Sequence, residues 1–245
     1  MTDTQTLVLT GASRGIGHAT ARTFSEAGWR VITVSRQPFS PRCPWGGGPR
    51  DHVQCDLGDP GSLAAGIEAI RSRLPEGRLD ALVNNAGISP KGPGGERLGV
   101  LASERDTWLG VFGVNIFAVA LLGRGLIDLL AAAKGAVVNV TSIAGSRVHP
   151  YAGAAYACSK AALLTLTREM AAEFAPLGVR VNAISPGEID TAILSPGSAD
   201  FAMREVPMRR LGRPDEVANV IRFLCGPQAS YVTGTELHVN GGQHV

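Results

Sequence analysis

Cysteine and net charge are both scarce in this chain, and each scarcity excludes a class of function. The four cysteines have neither metal-ligand spacing nor the pattern of a small disulfide-rich domain. A net charge of +2 leaves no basic stripe that would bind nucleic acid. The sequence also lacks a recognisable signal peptide, so we expect a cytoplasmic protein with reduced thiols. The cysteines are Cys43, Cys55, Cys158 and Cys225.

We expect no membrane-spanning segment either. The longest apolar stretch, 111–133, carries Asn115, Arg124 and Asp128, so it predicts a buried helix of a soluble domain. No internal repeat or interdomain linker interrupts the chain, and 44% of its 245 residues are hydrophobic. We therefore expect one domain, residues 1–245, with a substantial core.

Short apolar runs alternate with helical patterns along the whole chain. The first run, 7–9, leads into the glycine-rich segment 10–17, a helix over 18–27, and a second run at 31–34. This order is that of a βαβ unit. Later runs continue the pattern and predict an α/β fold, a single Rossmann-like doubly wound domain whose parallel sheet has helices on both faces. The later strands are predicted at 81–83, 136–140, 179–184 and 236–239.

Three glycines in the first turn match the demands of a bound dinucleotide. Gly11 would allow a tight turn, Gly15 would let the backbone approach a pyrophosphate, and Gly17 would let the helix pack close to the strand. The phosphates would lie at the helix N-terminus, where backbone N–H groups are free. The spacing G-x-x-x-G-x-G differs from the common G-x-G-x-x-G, and a turn that merely needs glycine is the alternative.

A tyrosine and a lysine four residues apart form a pair that can perform proton chemistry. Residues 155–163 are rich in alanine and leucine and predict a helix, so Tyr156 and Lys160 share one of its faces. A cation beside a phenol favours the phenolate and moves the phenol pKa from about 10 toward neutrality. Alone, such a pair is usually an ordinary surface feature, so its meaning depends on the other motifs.

These separated motifs, taken in order, resemble those of the short-chain dehydrogenase/reductase family. The resemblance spans 7–242 and rests on 10–17, 84–87, Ser142 and the Tyr156-x-x-x-Lys160 pair. It implies a catalytic set of Asn115, Ser142, Tyr156 and Lys160. Together with the glycine turn and the charges discussed below, it gives a cofactor-binding set of Gly11, Ser13, Arg14, Gly15, Ile16, Gly17, Ser35, Arg36, Asp56, Leu57, Asn85, Ala86, Gly87, Tyr156, Lys160, Pro186, Gly187, Ile189 and Thr191.

The resemblance implies a role for each catalytic residue. Tyr156 would exchange a proton with the substrate oxygen, and Ser142 would hydrogen-bond that oxygen. Lys160 would also bond the nicotinamide ribose, and Asn115 would hold a water linking Lys160 to solvent; the alternative for Asn115 is a helix residue satisfied locally. Ser142 and Tyr156 are 14 residues apart, one more than the family usually shows. The loop 147–153 would absorb the extra residue and alter the substrate wall.

The end of the second strand favours NADP(H) over NAD(H). Enzymes that use NAD usually place an acid there to bond the adenosine ribose, whereas this chain has Ser35 followed by Arg36. Arg14, in the glycine turn, supplies a second guanidinium, and the two could clasp a 2′-phosphate. The alternative is that both arginines are solvated surface charges. Asp56 matches the adenine-side acid of the family.

Two further segments depart from a plain helix-and-strand pattern. Prolines and glycines at 37–50 would break the helix that the family usually has there, leaving an irregular loop partly covered by Trp45 and Phe39. The stretch 191–209 is a candidate substrate lid, although core packing would explain most of its apolar residues equally well. The residues considered for the pocket are His149, Tyr151, Ile193, Leu194, Phe201, Met203 and Met208.

We therefore expect an NADP-dependent carbonyl reductase or alcohol dehydrogenase with a small-molecule substrate. A lyase or epimerase on the same fold is the first alternative, and a non-catalytic dinucleotide-binding protein is the second. The fold alone does not name a substrate. The helices over 111–133 and 156–174 each carry a second apolar face, which predicts subunit interfaces, and the resemblance implies a homotetramer.

Overall fold

A sheet of seven parallel strands organises the chain in the computed structural model, which describes residues 4–40, 47–74, 76–191, 194 and 197–245. The strand order is β3-β2-β1-β4-β5-β6-β7, so the direction of winding reverses between β1 and β4. Ligands of such sheets bind beyond the carboxyl ends of the strands at this switch point. The strands are β1 (Thr6–Thr10), β2 (Arg30–Ser35), β3 (His52–Gln54), β4 (Ala81–Asn84), β5 (Ala136–Val140), β6 (Arg180–Pro186) and β7 (Glu236–Val239).

Helices connect the strands and cover both faces of the sheet. One face carries α2, α4 and α5, and the other carries α1 and α7. The helix α6 stands outside these layers in the candidate lid. The α-helices of the described chain are α1 (Gly15–Glu26), α2 (Pro60–Arg71), α3 (Arg105–Phe112), α4 (Ala118–Ala133), α5 (Ala154–Phe174), α6 (Ser198–Glu205) and α7 (Pro214–Cys225).

The side chains of β1 show how both faces of the sheet become core. Val8 packs into the same cluster as Leu122 of α4, whereas Leu7 and Leu9 pack into the cluster that contains Ile221 of α7. All of these side chains are fully or almost fully buried. Burial on both faces explains why this strand is a continuous apolar run rather than an alternating one. The predicted fold class is confirmed.

The predicted strands agree closely with the observed ones, whereas the first helix shifts. β5 and β7 have the predicted bounds, and the other predicted strands differ by one or two residues at their ends. The helix α1 begins at Gly15 rather than at His18. The second half of the glycine-rich segment is therefore already the first turn of the helix.

The apolar stretch 111–133 was predicted to be a buried helix, but it is only partly buried. It belongs to a continuous helical run from 105 to 133, in which a π-helical turn, Gly113–Phe117, joins α3 to α4. Only 39% of its most apolar window is buried, and Leu109, Phe117 and Leu121 are exposed. By length and composition this run could cross a membrane, a test that core helices of soluble proteins also pass.

The segment 37–50 contains no α-helix in the part that the structure describes. Residues 37–40 are irregular, and a short 3-10 turn, Pro49–Asp51, leads into β3. The ring of Phe39 lies 6.1 Å from that of His52, so it covers the start of β3. Cys43 and Trp45 lie outside the described residues, as does Ile193 of the candidate lid.

Candidate active site

The turn after β1 is built on glycines that no other residue could replace without strain or collision. Gly11 and Gly15 have φ values of 72° and 57°, in the left-handed region that favours glycine. A Cβ atom on Gly17 would lie 2.1 Å from the carbonyl oxygen of Gly11. The helix α1 thus approaches the end of β1 as closely as its backbone permits.

The N-terminus of α1 is open on the side of this turn. The capping residue Arg14 is extended, and its side chain makes no capping hydrogen bond. The first N–H groups of a helix have no partner within the helix, so they are available to an anion. The residues of this turn therefore fit the pyrophosphate of a dinucleotide.

Asn85 ties the end of β4 to the glycine turn. Its Nδ2 donates to the carbonyl oxygens of Thr10 and Gly11 at 3.1 and 2.9 Å. The Thr10 hydroxyl in turn accepts hydrogen bonds from the backbone of Asn85 and Ala86 at 3.1 and 3.0 Å. These contacts hold the start of the predicted segment 84–87 against the dinucleotide turn.

One cavity of about 1010 Å³ runs along the carboxyl ends of the strands and brings most of the predicted residues together. Of the predicted catalytic set, Ser142, Tyr156 and Lys160 line it, and Asn115 does not. Of the predicted cofactor set, only Gly17 is absent from its wall. The cofactor-set residues on the wall are Gly11, Ser13, Arg14, Gly15, Ile16, Ser35, Arg36, Asp56, Leu57, Asn85, Ala86, Gly87, Tyr156, Lys160, Pro186, Gly187, Ile189 and Thr191.

Lys160 is a buried cation beside Tyr156. Its side chain is 4% exposed, and Nζ donates to the carbonyl oxygen of Val140 at 2.6 Å. Nζ also lies 5.6 Å from the centroid of the Tyr156 ring. Burial lowers the pKa of Lys160 from 10.5 to about 8, because the charged form loses its water.

The pKa of Tyr156 shifts in the direction opposite to the prediction. Burial raises the pKa of the phenol above 10, interaction with the Ser142 hydroxyl opposes that rise, and the charge of Glu188 adds to it. Desolvation therefore outweighs the effect that was expected from a neighbouring lysine. In this state the phenol keeps its proton, which is the form that can act as an acid.

Asn115 lies behind the cavity, inside the π-helical turn, where it is 1% exposed. Its Nδ2 donates to Ser159 Oγ at 2.9 Å and to the Ile88 carbonyl oxygen at 3.1 Å, while its Oδ1 accepts from the Ile88 N–H at 2.9 Å. The side chain therefore braces α5 against the segment after β4. These partners are distant in sequence, and the catalytic role of Asn115 stays a prediction; π-helical turns such as this one are frequent at functional sites.

The adenosine end of the cavity holds the predicted pair of arginines. Arg14 and Arg36 are both exposed and line the cavity. Ser35 Oγ donates to the Gln37 carbonyl oxygen at 3.0 Å. Asp56 is fixed by the Gly58 N–H, which donates to its Oδ1 at 2.9 Å. No acid stands at the end of β2, where an adenosine ribose would be bonded.

The opposite end of the cavity contains two polar residues that sequence reasoning missed. Lys91 and Ser198 line the wall together with Glu188, His149 and Tyr151. No spacing rule singles out Lys91, because its direction is set by a hydrogen bond from Nζ to the Tyr151 carbonyl oxygen, 60 residues further along the chain. The Ser198 hydroxyl is buried and has no hydrogen-bond partner among the described residues.

The fold and this cavity define a Rossmann-like dinucleotide-binding domain with a tyrosine–lysine pair at its ligand site. The family profile described as enoyl-(acyl carrier protein) reductase matches residues 11–244. The chain belongs to the short-chain dehydrogenase/reductase family and is an oxidoreductase of that family.

Individual relatives are similar over nearly the whole chain. Protein FixR of Bradyrhizobium diazoefficiens is 59% identical over 240 residues, which cover 98% of this chain and 86% of the relative. Cis-4-hydroxycyclohexanecarboxylate dehydrogenase of Sinomonas cyclohexanicum is 39% identical, covering 96% and 94%. A crystal structure of a short-chain dehydrogenase/reductase from Brucella ovis, in complex with a partially ordered NAD, is 57% identical with a TM-score of 0.86, covering 97% and 100%.

Proposed function

We propose that this protein interconverts a carbonyl group and a secondary alcohol, with NADP(H) as its preferred cofactor and Tyr156 as general acid and base. The observation that carries the proposal is the position of Tyr156 and Ser142 on one cavity with the glycine turn and the open N-terminus of α1. When bound, the nicotinamide cofactor would supply or accept the hydride.

The residues of the chain account for the proton in this reaction. In the reductive direction the Tyr156 phenol, whose pKa is raised by burial, donates its proton to the substrate oxygen. The Ser142 hydroxyl donates a hydrogen bond to the same oxygen and stabilises its developing charge. The Lys160 ammonium then favours the phenolate that remains. In the oxidative direction the phenolate takes the proton back.

The preference for NADP(H) rests on the charges at the adenosine end. Arg14 and Arg36 would form charge-assisted hydrogen bonds with a 2′-phosphate, and no carboxylate at the end of β2 would repel it. The Brucella ovis relative was crystallised with NAD, which makes NAD(H) the alternative. We also propose that the protein is cytoplasmic and that it forms a homotetramer. The assembly is supported by α3, α4 and the π-helical turn between them, which expose Leu109, Phe117 and Leu121 on a second apolar face.

A direct assay tests the proposed reaction. Purified protein is screened with NADPH and with NADH against ketones, aldehydes and sugars, and with the oxidised cofactors against secondary alcohols, by the absorbance of the reduced nicotinamide. We expect substrate-dependent oxidation of NADPH that exceeds that of NADH. Conversion of a substrate without net change in the cofactor would instead support a lyase or epimerase. Cofactor binding without conversion of any substrate would support a non-catalytic dinucleotide-binding protein.

A further inference from the structure

A carboxylate is held in the cavity wall beyond Tyr156. Glu188 follows β6, and its Oε1 lies 2.7 Å from Nε2 of His149, with both side chains 7% exposed. The approach does not have hydrogen-bond geometry, and Nε2 has no hydrogen-bond partner among the described residues. The charge of Glu188 nevertheless reaches Tyr156, since it raises the pKa of the phenol. The carboxylate therefore lies within electrostatic range of the reacting oxygen.

Backbone contacts position Glu188, and neighbouring rings pack around His149. The Glu188 carbonyl oxygen accepts from the Gly212 N–H at 2.8 Å. The His149 Nδ1 accepts from the Tyr151 N–H at 3.3 Å, so in the neutral ring the proton is on Nε2, the nitrogen that faces Glu188. The His149 ring packs against Tyr151 and Phe201, at centroid distances of 5.8 and 5.3 Å. Since Phe201 belongs to α6, the candidate lid supports the pair.

A cation lines the same wall. The Lys91 ammonium is half-buried, and one of its three donors bonds the Tyr151 carbonyl oxygen. Burial lowers the pKa of Lys91, and the charge of Glu188 raises it, so the two groups sense one another. The wall thus presents one fixed acceptor and one fixed donor whose charges sum to zero.

These charges discriminate between different substituents on a substrate. A carboxylate would be attracted by Lys91 but repelled by Glu188, and an ammonium would experience the reverse, so neither gains a net attraction. An alkyl group would displace water from both charges without replacing its hydrogen bonds. A hydroxyl group can donate to Glu188 and accept from Lys91 at once.

We infer, on the basis of the proposed function, that the enzyme selects neutral polyhydroxylated substrates. A hydroxyl group next to the reacting carbon donates to Glu188 and accepts from Lys91. The inference assigns the substrate class and two specificity-determining residues to a reaction whose acid and base are elsewhere.

Three alcohols of matched shape test this inference in the oxidative direction. They are cyclohexane-1,2-diol, 2-methylcyclohexanol and 2-hydroxycyclohexane-1-carboxylate, assayed with the cofactor that the wild type prefers. We expect kcat/KM for the diol to exceed the values for both other compounds by about tenfold or more, because those compounds leave a charged group of the wall without its hydrogen-bond partner. A methyl or carboxylate compound that is turned over as well as the diol overturns the inference.

Substitutions separate the acceptor from the donor. Glu188→Gln removes the charge at nearly constant shape, and Lys91→Met removes the donor. Because all three alcohols depend equally on Tyr156, the ratio of kcat/KM values cancels any effect of Glu188 on that residue. We expect each variant to lower the diol-to-methyl ratio about fivefold or more, and Glu188→Gln to improve the carboxylate compound relative to the diol. Glu205→Gln, an exposed acid on α6, is the control and should leave the ratios unchanged.

The outcomes distinguish failure of this inference from failure of the proposed function. Turnover that does not discriminate among the alcohols, or ratios unchanged in both variants, overturns the inference and leaves the oxidoreductase intact. If the wild type turns over no alcohol, the inference is tested by calorimetry, which measures binding of the diol and of the methyl compound to the cofactor-loaded protein. Preferential binding of the diol that is lost in Glu188→Gln supports the inference, and equal or absent binding overturns it.

Discussion

Lys160 Nζ donates a 2.6 Å hydrogen bond to the carbonyl oxygen of Val140, which places a buried ammonium at the end of β5. Ser142 follows two residues later, and the Tyr156 ring centroid lies 5.6 Å from the same Nζ. A single contact between a helix and a strand therefore sets the positions of the cation, the hydroxyl and the phenol. This arrangement costs folding free energy, because it buries a charge.

Replacement of Lys160 by Met separates the effect of the buried charge on stability from its effect on turnover. Burial lowers the pKa of Lys160 from 10.5 to about 8, so the unfolded chain binds this proton more tightly than the folded chain does. The penalty on the folded state is complete below about pH 8 and is relieved as the pH rises toward 10.5. A shift of that size corresponds to about 3 kcal/mol, against about 1 kcal/mol for the lost hydrogen bond.

We therefore expect Lys160→Met to lose turnover but to be no less stable than the wild type at pH 7. The difference in unfolding free energy, measured in urea, should move in favour of the wild type between pH 8 and pH 10.5. A variant that is less stable than the wild type by the same amount at both pH values would contradict the assignment of a desolvated cation.

Gly17→Ala should damage both folding and cofactor binding. The new Cβ would meet the backbone oxygen of Gly11, which no side-chain movement can relieve. We expect a loss of about 1–3 kcal/mol in unfolding free energy and a weaker dinucleotide affinity. Gly61→Ala, on the exposed first turn of α2, is the matched control and should cost nothing. Equal stability of the two variants would show that α1 can move away from the turn.

Arg36→Ala should weaken NADPH binding much more than NADH binding. A lost charge-assisted contact to a phosphate is worth about 1.5–3 kcal/mol, or roughly ten- to a hundredfold in affinity. The measurement is the Kd of each reduced cofactor, with Arg222→Ala, at an exposed residue of α7, as the control for a lost surface charge. Parallel weakening of both cofactors would mean that Arg36 does not contact the 2′-phosphate.

Leu121→Lys should dissociate the proposed assembly. Leu121 is 40% exposed on the second apolar face of α4. In a tetramer, a lysine there would bury an unpaired charge in the interface, whereas in a monomer the lysine would stay in water at no cost. We expect light scattering to give a tetramer for the wild type and smaller species for the variant. Leu177→Lys, at an exposed leucine beyond α5, should remain tetrameric. A fully active wild-type monomer would rule out the assembly.

The sequence was sufficient for the fold because its patterns are local. The buried runs of β1 and β5 and the glycines of the first turn each state a backbone requirement within a few residues. The pKa of Tyr156 was predicted in the wrong direction because burial, which depends on the whole fold, outweighs one neighbouring lysine. Lys91 was missed because a contact made only in the folded chain, from its Nζ to the Tyr151 carbonyl oxygen, directs it, and Ser198 because only the fold brings α6 to the cavity.

Tyr156→Phe is the most direct test of the central claim that this phenol carries the proton. The substitution removes one hydroxyl and keeps the ring on α5, while the glycine turn that would bind the cofactor is untouched. With the preferred cofactor and substrate, we expect kcat to fall by about 10²–10⁴-fold while the Kd for the cofactor changes little. Retention of most of the wild-type kcat would contradict the account and remove Tyr156 from the reaction.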